Sequence, residues 1–370
     1  MKQFTIFLTF LLLVAAFAIA AVNAEPASQT IVDMAGRSVE VPQNPNRIVG
    51  LGPGALRLIV YLQAAEKVVG IEDMETRNPG GRPYWLAHPE LAELPSVGPG
   101  GPASINKKPD LESVLAAKPD LLFITYMDAE RADEVQRLLQ IPVVVLSYGT
   151  FATFDETVYD ALRLVGKILD RKQRAEKVIS FIEHHRADLK KRTASTPAEQ
   201  KPSVYVGGLG YRGAHGIQST KNQYTPFLWT SANNVAATME ASVDSHVFVS
   251  KEQLLVFNPD IIFLDGTGLA LIRQDYRKNT EYYQALKAFK NKRVYTLLPY
   301  NFYTTNIGTA LADAYAVGKI LAPQFFEDID PEKMADTIYT ELVGAPVYKQ
   351  MKKDFSGIGK KPTFLISENH

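Results

Sequence analysis

Glu112–Thr125 reads ESVLAAKPDLLFIT, and Glu252–Asp265 reads EQLLVFNPDIIFLD. The two stretches align without a gap at an offset of 140 residues. They share Glu, Leu, Pro, Asp and Phe, and most other positions exchange one apolar residue for another. Each reads as a short helix, a Pro-Asp turn that ends it, and a continuous apolar run of the kind that fills a buried strand. Common βα grammar accounts for part of the likeness. Taken as an internal repeat, it makes the chain two similar α/β lobes.

The flanking sequence extends each copy. Before the first lie β-rich runs with turns over 30–52 (TIVDMAGRSVEV, then RIVGLGPG), a helical pattern at Ala55–Ala65 and a strand, KVVGI, at 67–71. Residues 74–106 are dense in Gly and Pro and predict loop, with a short helix near His88–Leu94. After the first copy come a helix at Ala129–Leu139 and a strand, VVVLS. Helix alternating with strand predicts a parallel sheet. From Asp155 to Arg192 Gly and Pro nearly vanish, and Val158, Leu162, Val165, Ile168, Leu169, Ala175, Val178, Ile179 and Ile182 recur at helical spacing. That predicts one or two long helices, with a break near Asp170. TASTPAEQKP (193–202) has a linker's composition, and a second α/β series follows it.

The chain opens MKQFTIFLTFLLLVAAFAIAAVNAEPAS, with Lys2 ahead of an apolar run and small residues at Val22-Asn23-Ala24. This predicts a secretory signal, residues 1–24, removed after Ala24; a membrane anchor is the alternative. The mature chain would have 346 residues (370 − 24), enough for about two domains. Without Lys2 it carries 39 basic and 40 acidic side chains, a net charge of −1. Nothing in that balance suggests nucleic acid. There is no cysteine, hence no disulfide, thiolate metal site or lipid-bearing cysteine. A soluble periplasmic protein fits these features, and an NAD enzyme fits that compartment poorly.

RIVGLGPGALRLIVYLQAAEKVVGI (47–71), DLESVLAAKPDLLF (110–123), the central helical stretch, VSKEQLLVFNPDIIF (249–263), and RVYTLLPYNFYTT with ALADAYAVGKILAP (293–323) together resemble the helix-linked class of periplasmic substrate-binding proteins. These deliver ferric siderophores, haem, vitamin B12 and, in some members, molybdate or tungstate to ABC importers. The resemblance covers essentially the whole mature chain. It implies an α/β fold of two parallel-sheet lobes joined by a long rigid α-helix, with the ligand cleft between them. The corresponding division is an N-terminal lobe over 25–152, the linking helix over 153–195 and a C-terminal lobe with terminal helices over 196–370. It implies a monomer that meets an ABC permease dimer and its ATPase, with no resident cofactor and no catalysis. It also implies that Glu112 and Glu252, which head the two repeat copies, pair with arginines of the permease. Where many members carry Thr-Glu in the first helix, this chain has Leu56-Arg57, so Arg57 serves another purpose.

One motif competes with this reading. In VYVGGLGYRGAHGIQST (204–220), Gly208, Gly210 and Gly213 fall at the G-x-G-x-x-G spacing of a dinucleotide turn. That turn needs a helix to begin at once, and an acidic residue about 20 positions on. AHGIQSTKNQYTP does not propagate a helix, and no acid lies at Thr230–Asn234. The loop reads better as a ligand contact at a strand end. Tyr211, Arg212 and His215 are its candidate groups, Arg212 as a forked donor and His215 as donor, acceptor or ligand. The alternatives are a loop ion pair and a turn residue. A second wall is LPYNFYTTN (298–306), with Tyr300, Asn301 and Tyr303 toward the cleft, or else packed beneath the next helix. The opposite lobe offers Arg82, Tyr84, Trp85 and His88, with backbone N–H groups from VGPGGP (97–102). His184 and His185 read as surface residues of the long helix. Family frequency favours an iron chelate, ferric siderophore or haem-like, as the ligand; a molybdate or tungstate oxyanion is the alternative, then cobalamin. A secreted metal-dependent hydrolase is the rival from another class, but H-x-x-H, H-E-x-x-H and G-x-S-x-G are all absent.

Overall fold

The computed structural model describes residues 28–77, 80–194, 197, 201–241 and 246–366. The proposed signal, residues 1–24, and five of the ten residues of the 193–202 linker lie outside them. Among the described residues no helix is long and apolar enough to cross a membrane.

Two four-stranded parallel sheets carry the fold. In the first, β3 (Ile48–Leu51), β4 (Val68–Gly70), β5 (Leu121–Thr125) and β6 (Val143–Leu146) lie in the order β4-β3-β5-β6. In the second, β7 (Ser203–Gly207), β9 (Asn233–Asn234), β11 (Ile261–Asp265) and β12 (Val294–Leu297) lie in the order β9-β7-β11-β12. Replacing β3, β4, β5 and β6 by β7, β9, β11 and β12 turns one order into the other, so the repeat is a repeat of topology. Both copies of the apolar run, LLFIT and IIFLD, are wholly buried, as strands covered on two faces must be. Each copy is also fastened in the same way. Asp120 takes the N–H groups of Asn46 and Arg47 just before β3, and Asp260 takes that of Ser203 at the start of β7. The Asp of each Pro-Asp turn thus fixes the register of the neighbouring strand. A hairpin, β1 (Ser28–Val32) with β2 (Ser38–Pro42), precedes the first sheet, and β8 (Ser219–Lys221) pairs with β10 (His246–Phe248) beside the second.

The link is two helices. Thr157–Ile168 and Lys172–Ala194 meet at Asp170, which is left-handed (φ 54°). The first packs along the second, and the second, at 23 residues, runs about 35 Å at roughly 1.5 Å per residue. The 74–106 stretch is more ordered than its Gly and Pro suggest. It contains helices at Asp73–Arg77 and Pro83–Ala87, and the expected helix near His88–Leu94 is a 3₁₀ turn at Pro89–Glu93.

The lobes are not separate bodies. One apolar core includes Ile48 and Phe123 of the first lobe, Val178 of the link, and Phe263 and Tyr300 of the second. The helix Pro331–Val343, late in the chain, packs on the early helices Ala55–Tyr61 and Pro83–Ala87. His88 Nε2 lies 3.2 Å from the carbonyl oxygen of Val343, 255 residues away in sequence. His185 is buried against Tyr315, its Nδ1 2.7 Å from the phenol oxygen, so it is not a surface residue as its place on a polar helix suggests.

Candidate ligand-binding site

Segments past the C-terminal ends of the two sheets meet, Asn301 beyond β12 donating to the carbonyl of Ala152 beyond β6, and such strand ends are where α/β sheets hold ligands. Each leading strand ends in a glycine turn. After β3 comes Gly52-Pro53-Gly54, and after β7 comes Gly208-Leu209-Gly210. Gly52 and Gly208 have the same left-handed backbone, φ 83° in both. A Cβ at Gly52 would stand 2.7 Å from Thr125 Oγ1, and one at Gly208 2.8 Å from Ile272 Cδ1. The left-handed backbone favours glycine at both places, and at Gly52 the crowding by Thr125 adds to it. The G-x-G of 208–210 is this lobe turn seen for the second time. The next helix after Gly213 starts only at Thr225, so the turn has no helix N-terminus to set against a pyrophosphate.

Beyond the turns the lobes differ. In the first, helix Ala55–Tyr61 follows and is buried throughout. Arg57 lies inside it, wholly enclosed, and crosses to the other lobe. Its guanidinium donates to Asn306 Oδ1 at 3.0 Å and to the carbonyls of Phe302, Tyr303, Thr304 and Thr305 at 2.9–3.4 Å. It sits 4.9 Å above the Tyr84 ring. Tyr303 and Thr304 are both left-handed (φ 53° and 64°), a strained pair for residues bearing a Cβ. The Arg57 fork fills the carbonyls that this strained bend turns inward.

The eight candidate ligand residues separate into three groups. Arg82 and Tyr84 are buried in the first lobe around Glu75: Arg82 Nη1 donates to Glu75 Oε2 at 2.7 Å, and the Tyr84 hydroxyl to the same oxygen at 2.8 Å. They brace the 73–87 turn, and their polar atoms are spent on Glu75 rather than turned to a gap. Tyr303 also bridges the lobes. Its hydroxyl donates to Glu72 Oε2 at 2.7 Å and accepts the Gly101 N–H at 2.9 Å. Glu72 further accepts the Gly52 N–H at 3.0 Å, and burial pushes its carboxyl up to about 7.

Tyr300 and Asn301 line a small pocket at the tips of the second sheet, with Leu209, Gly210, Asp265 and Thr267 among its other walls. The Asn301 amide N–H donates to the Ala152 carbonyl at 3.0 Å, and its Oδ1 is buried with no hydrogen-bond partner. Lys221 also lines this pocket and donates to the same Ala152 carbonyl at 2.7 Å. Asp265 ends β11 there; its Oδ1 accepts the Thr267 N–H at 2.8 Å, and burial pushes the carboxyl up to about 6.

Tyr211, Arg212 and His215 form the third group, on the loop past Gly210. Tyr211 stacks on His246, with centroids 4.3 Å apart, and His215 stands edge-on to Phe248. Arg212 is exposed, with its guanidinium 5.8 Å from the centre of the Tyr211 ring. His215 Nε2 lies 2.7 Å from the Tyr211 carbonyl oxygen. Phe248 is 53 % exposed, so this is an aromatic rim rather than part of the core. Asp265, Lys221 and Glu72 escaped sequence reasoning. Asp265 alone left a signal, a carboxylate closing an apolar strand where the repeat partner has Thr125. A second pocket, of about 470 Å³, lies over the first sheet's tips beneath Val97–Asp110. Among the described residues no group of three or more His, Asp or Glu is placed to hold a metal.

Glu112 and Glu252 are exposed, each in the first turn of a short helix, and neither takes part in an ion pair among the described residues.

A sequence model of the family described as periplasmic binding protein matches residues 48–300, well over half of the chain. The molybdate-binding protein MolA of Haemophilus influenzae is 27% identical over 342 residues, covering 85% of this chain and 91% of that protein. Its solved structure with molybdate bound has a TM-score of 0.66 at 24% identity, over 86% of this chain and 98% of the other. The petrobactin-binding protein YclQ of Bacillus subtilis is 24% identical over 274 residues, 73% of this chain and 80% of that protein. A periplasmic solute-binding protein from Veillonella parvula shares the fold, with a TM-score of 0.70 at 23% identity over 89% of this chain and 97% of the other.

Proposed function

The chain belongs to the periplasmic binding protein family, and on that premise we propose that it captures a small oxyanion of the molybdate class between its lobes and hands it to the permease of an ABC importer. The observation that carries the choice of guest is the similarity to MolA over 91% of that protein, set beside the polar wall at the second sheet's tips. Lys221 supplies a positive charge and Thr267 a hydroxyl at the pocket wall, and Arg212 stands exposed on the loop that follows Gly210.

Asp265 sets the terms of capture. A charged carboxylate beside a dianion costs affinity, and a protonated one can donate to it. A carboxyl pushed up to about 6 switches between these states near neutral pH. The mechanism is reversible binding, with no bond made or broken in the guest. Lobe closure is small, because the Arg57 fork, the Tyr303–Glu72 bond and the shared core already tie the lobes. Delivery runs through Glu112 and Glu252, whose charges meet cationic side chains on the permease. Residues 1–24 act as the export signal.

An iron chelate is the second reading. It draws on the exposed ring cluster of Tyr211, Phe248 and His215, which suits a flat or catecholate guest, and on the petrobactin-binding relative. Elemental analysis of protein purified from its own periplasm separates the two. Molybdenum or tungsten near one per chain supports the oxyanion; iron at that ratio overturns it in favour of the chelate.

A further inference from the structure

Glu112 and Glu252 are not alone on their helices. Leu111–Ala116 and Lys251–Val256 show the same burial order: half-buried, exposed, half-buried, buried, exposed, exposed. Each helix is capped by the side chain before it, Asp110 accepting from Ser113 N at 3.1 Å and Ser250 from Gln253 N at 3.0 Å. Each is followed by a left-handed residue, Lys118 (φ 48°) and Asn258 (φ 37°). The two helices are therefore copies in conformation, capping and exposure. Each leaves its glutamate uncovered, and each also leaves a leucine uncovered three residues later. Leu115 is 46 % exposed and Leu255 38 %, with Val256 beside it at 77 %. Residues i and i+3 share a helix face, so each carboxylate stands over an apolar side chain on one surface.

A single exposed leucine needs no explanation. Two at equivalent positions, each beside an unpaired acid, do need one, since sequence drift would readily replace a solvated leucine in at least one copy. Lys251, next to the second acid in sequence, makes its ion pair with Asp275 at 3.0 Å. Both helices lead into sheet strands and run back along them, which sets their N-terminal ends at the tip side of each lobe. Asp110 lines the same pocket as Leu51, Gly52 and Thr125 at the first sheet's tips. The first Glu–Leu face therefore lies beside the first sheet's tips, and the repeated helix–strand order gives the second face the equivalent place.

We propose that each lobe docks through a two-part contact, a glutamate and an apolar knob, and that the permease dimer presents two equivalent sockets in which a cation borders an apolar hollow. The knobs are Leu115 on the first lobe and Leu255 with Val256 on the second. This rests on the delivery reading above and adds to it a component that salt does not screen. An exposed ion pair alone is weak and fades with ionic strength. The knobs keep the carrier seated when the pairs are screened, and the glutamates steer it in.

The test is association of the full-length mature protein with its permease–ATPase complex in nanodiscs, at about 50 and 500 mM salt. The variants are L115S, L255S, L115S/L255S and E112K/E252K. Each serine is expected to weaken binding about tenfold, by similar amounts for the two lobes and at both salt concentrations. The lysine pair is expected to abolish association at low salt. If L115S/L255S binds like the parent while E112K/E252K does not, the apolar component falls and the delivery reading stands. If E112K/E252K binds like the parent at low salt, both fall. If only one serine variant loses binding, the equivalence of the two sockets falls. Unchanged thermal unfolding of the serine variants, expected for surface positions, assigns any loss to the contact itself.

Discussion

Both lobes leave their leading strand through a glycine at φ 83°, and within a few residues they part. In the first lobe the chain turns at once into Ala55–Tyr61, a helix with no exposed side, and its arginine is swallowed. In the second lobe it runs on as an open loop, and its arginine stands in solvent. Arg57 gives its hydrogen bonds to five oxygens of residues 302–306. Arg212 lies over the face of Tyr211. Similar turns thus serve opposite ends: one tip joins the halves, and the other stays open to solvent. An arginine after a glycine turn carries no fixed meaning; burial decides whether it braces the fold or faces a ligand.

Substitution of the two arginines sharpens that contrast most. Arg57→Met leaves a strained bend with several buried carbonyls unpaired and is expected to cost about 3 kcal/mol or more, read by denaturant unfolding. A loss under about 1 kcal/mol would mean that the bend holds itself. The next effect concerns the second tip. Affinity for molybdate is expected to rise on the order of tenfold as pH falls from 7.5 to 5.5, because Asp265, pushed up to about 6, takes up its proton in that interval. Asp265→Asn should bind more tightly at pH 7.5 and lose the slope; calorimetry across pH checks both, and a slope that survives the change removes Asp265 from the site.

The first tip has its own titration. Glu72 is raised by burial to about 7, so its contribution to stability is full below the ordinary carboxylate pKa and is lost as pH rises through 7. Melting temperature should therefore decline between pH 5 and 8, and Glu72→Gln should flatten that decline. An unchanged profile would assign the decline to other buried carboxyls, such as Asp313, which burial also raises. Arg212→Ala should be the quietest, within about 0.5 kcal/mol in unfolding, with a several-fold loss of oxyanion affinity that shrinks in high salt.

The fold was largely legible because its signals are local and repeated. Continuous apolar runs such as LLFIT and IIFLD have no other stable home than a two-sided parallel sheet, and the Pro-Asp turns mark where they start. The break at Asp170 was legible too, as the polar gap in a helical run. The candidate site was less so. Tyr211, Arg212 and His215 lie on the expected strand-end loop, and Tyr300 and Asn301 line the pocket beside it. Arg82 resembled them in chemistry, but Glu75, seven residues earlier, claims it. No one-dimensional pattern distinguishes an arginine aimed at a ligand from one aimed at a carboxylate of its own chain. Lys221 left no mark at all, because its position depends on the β8–β10 hairpin and on Ala152, 69 residues away.

The return of Pro331–Val343 to the early helices has a consequence for the order of events in a cell. A ribosome makes residues 55–87 long before it makes the segment that roofs them. Until the last few dozen residues have emerged, the first lobe presents an unroofed apolar flank and cannot reach its final state. Completion of that flank is deferred to the end of synthesis, so a helix made late decides when the helices made early can settle.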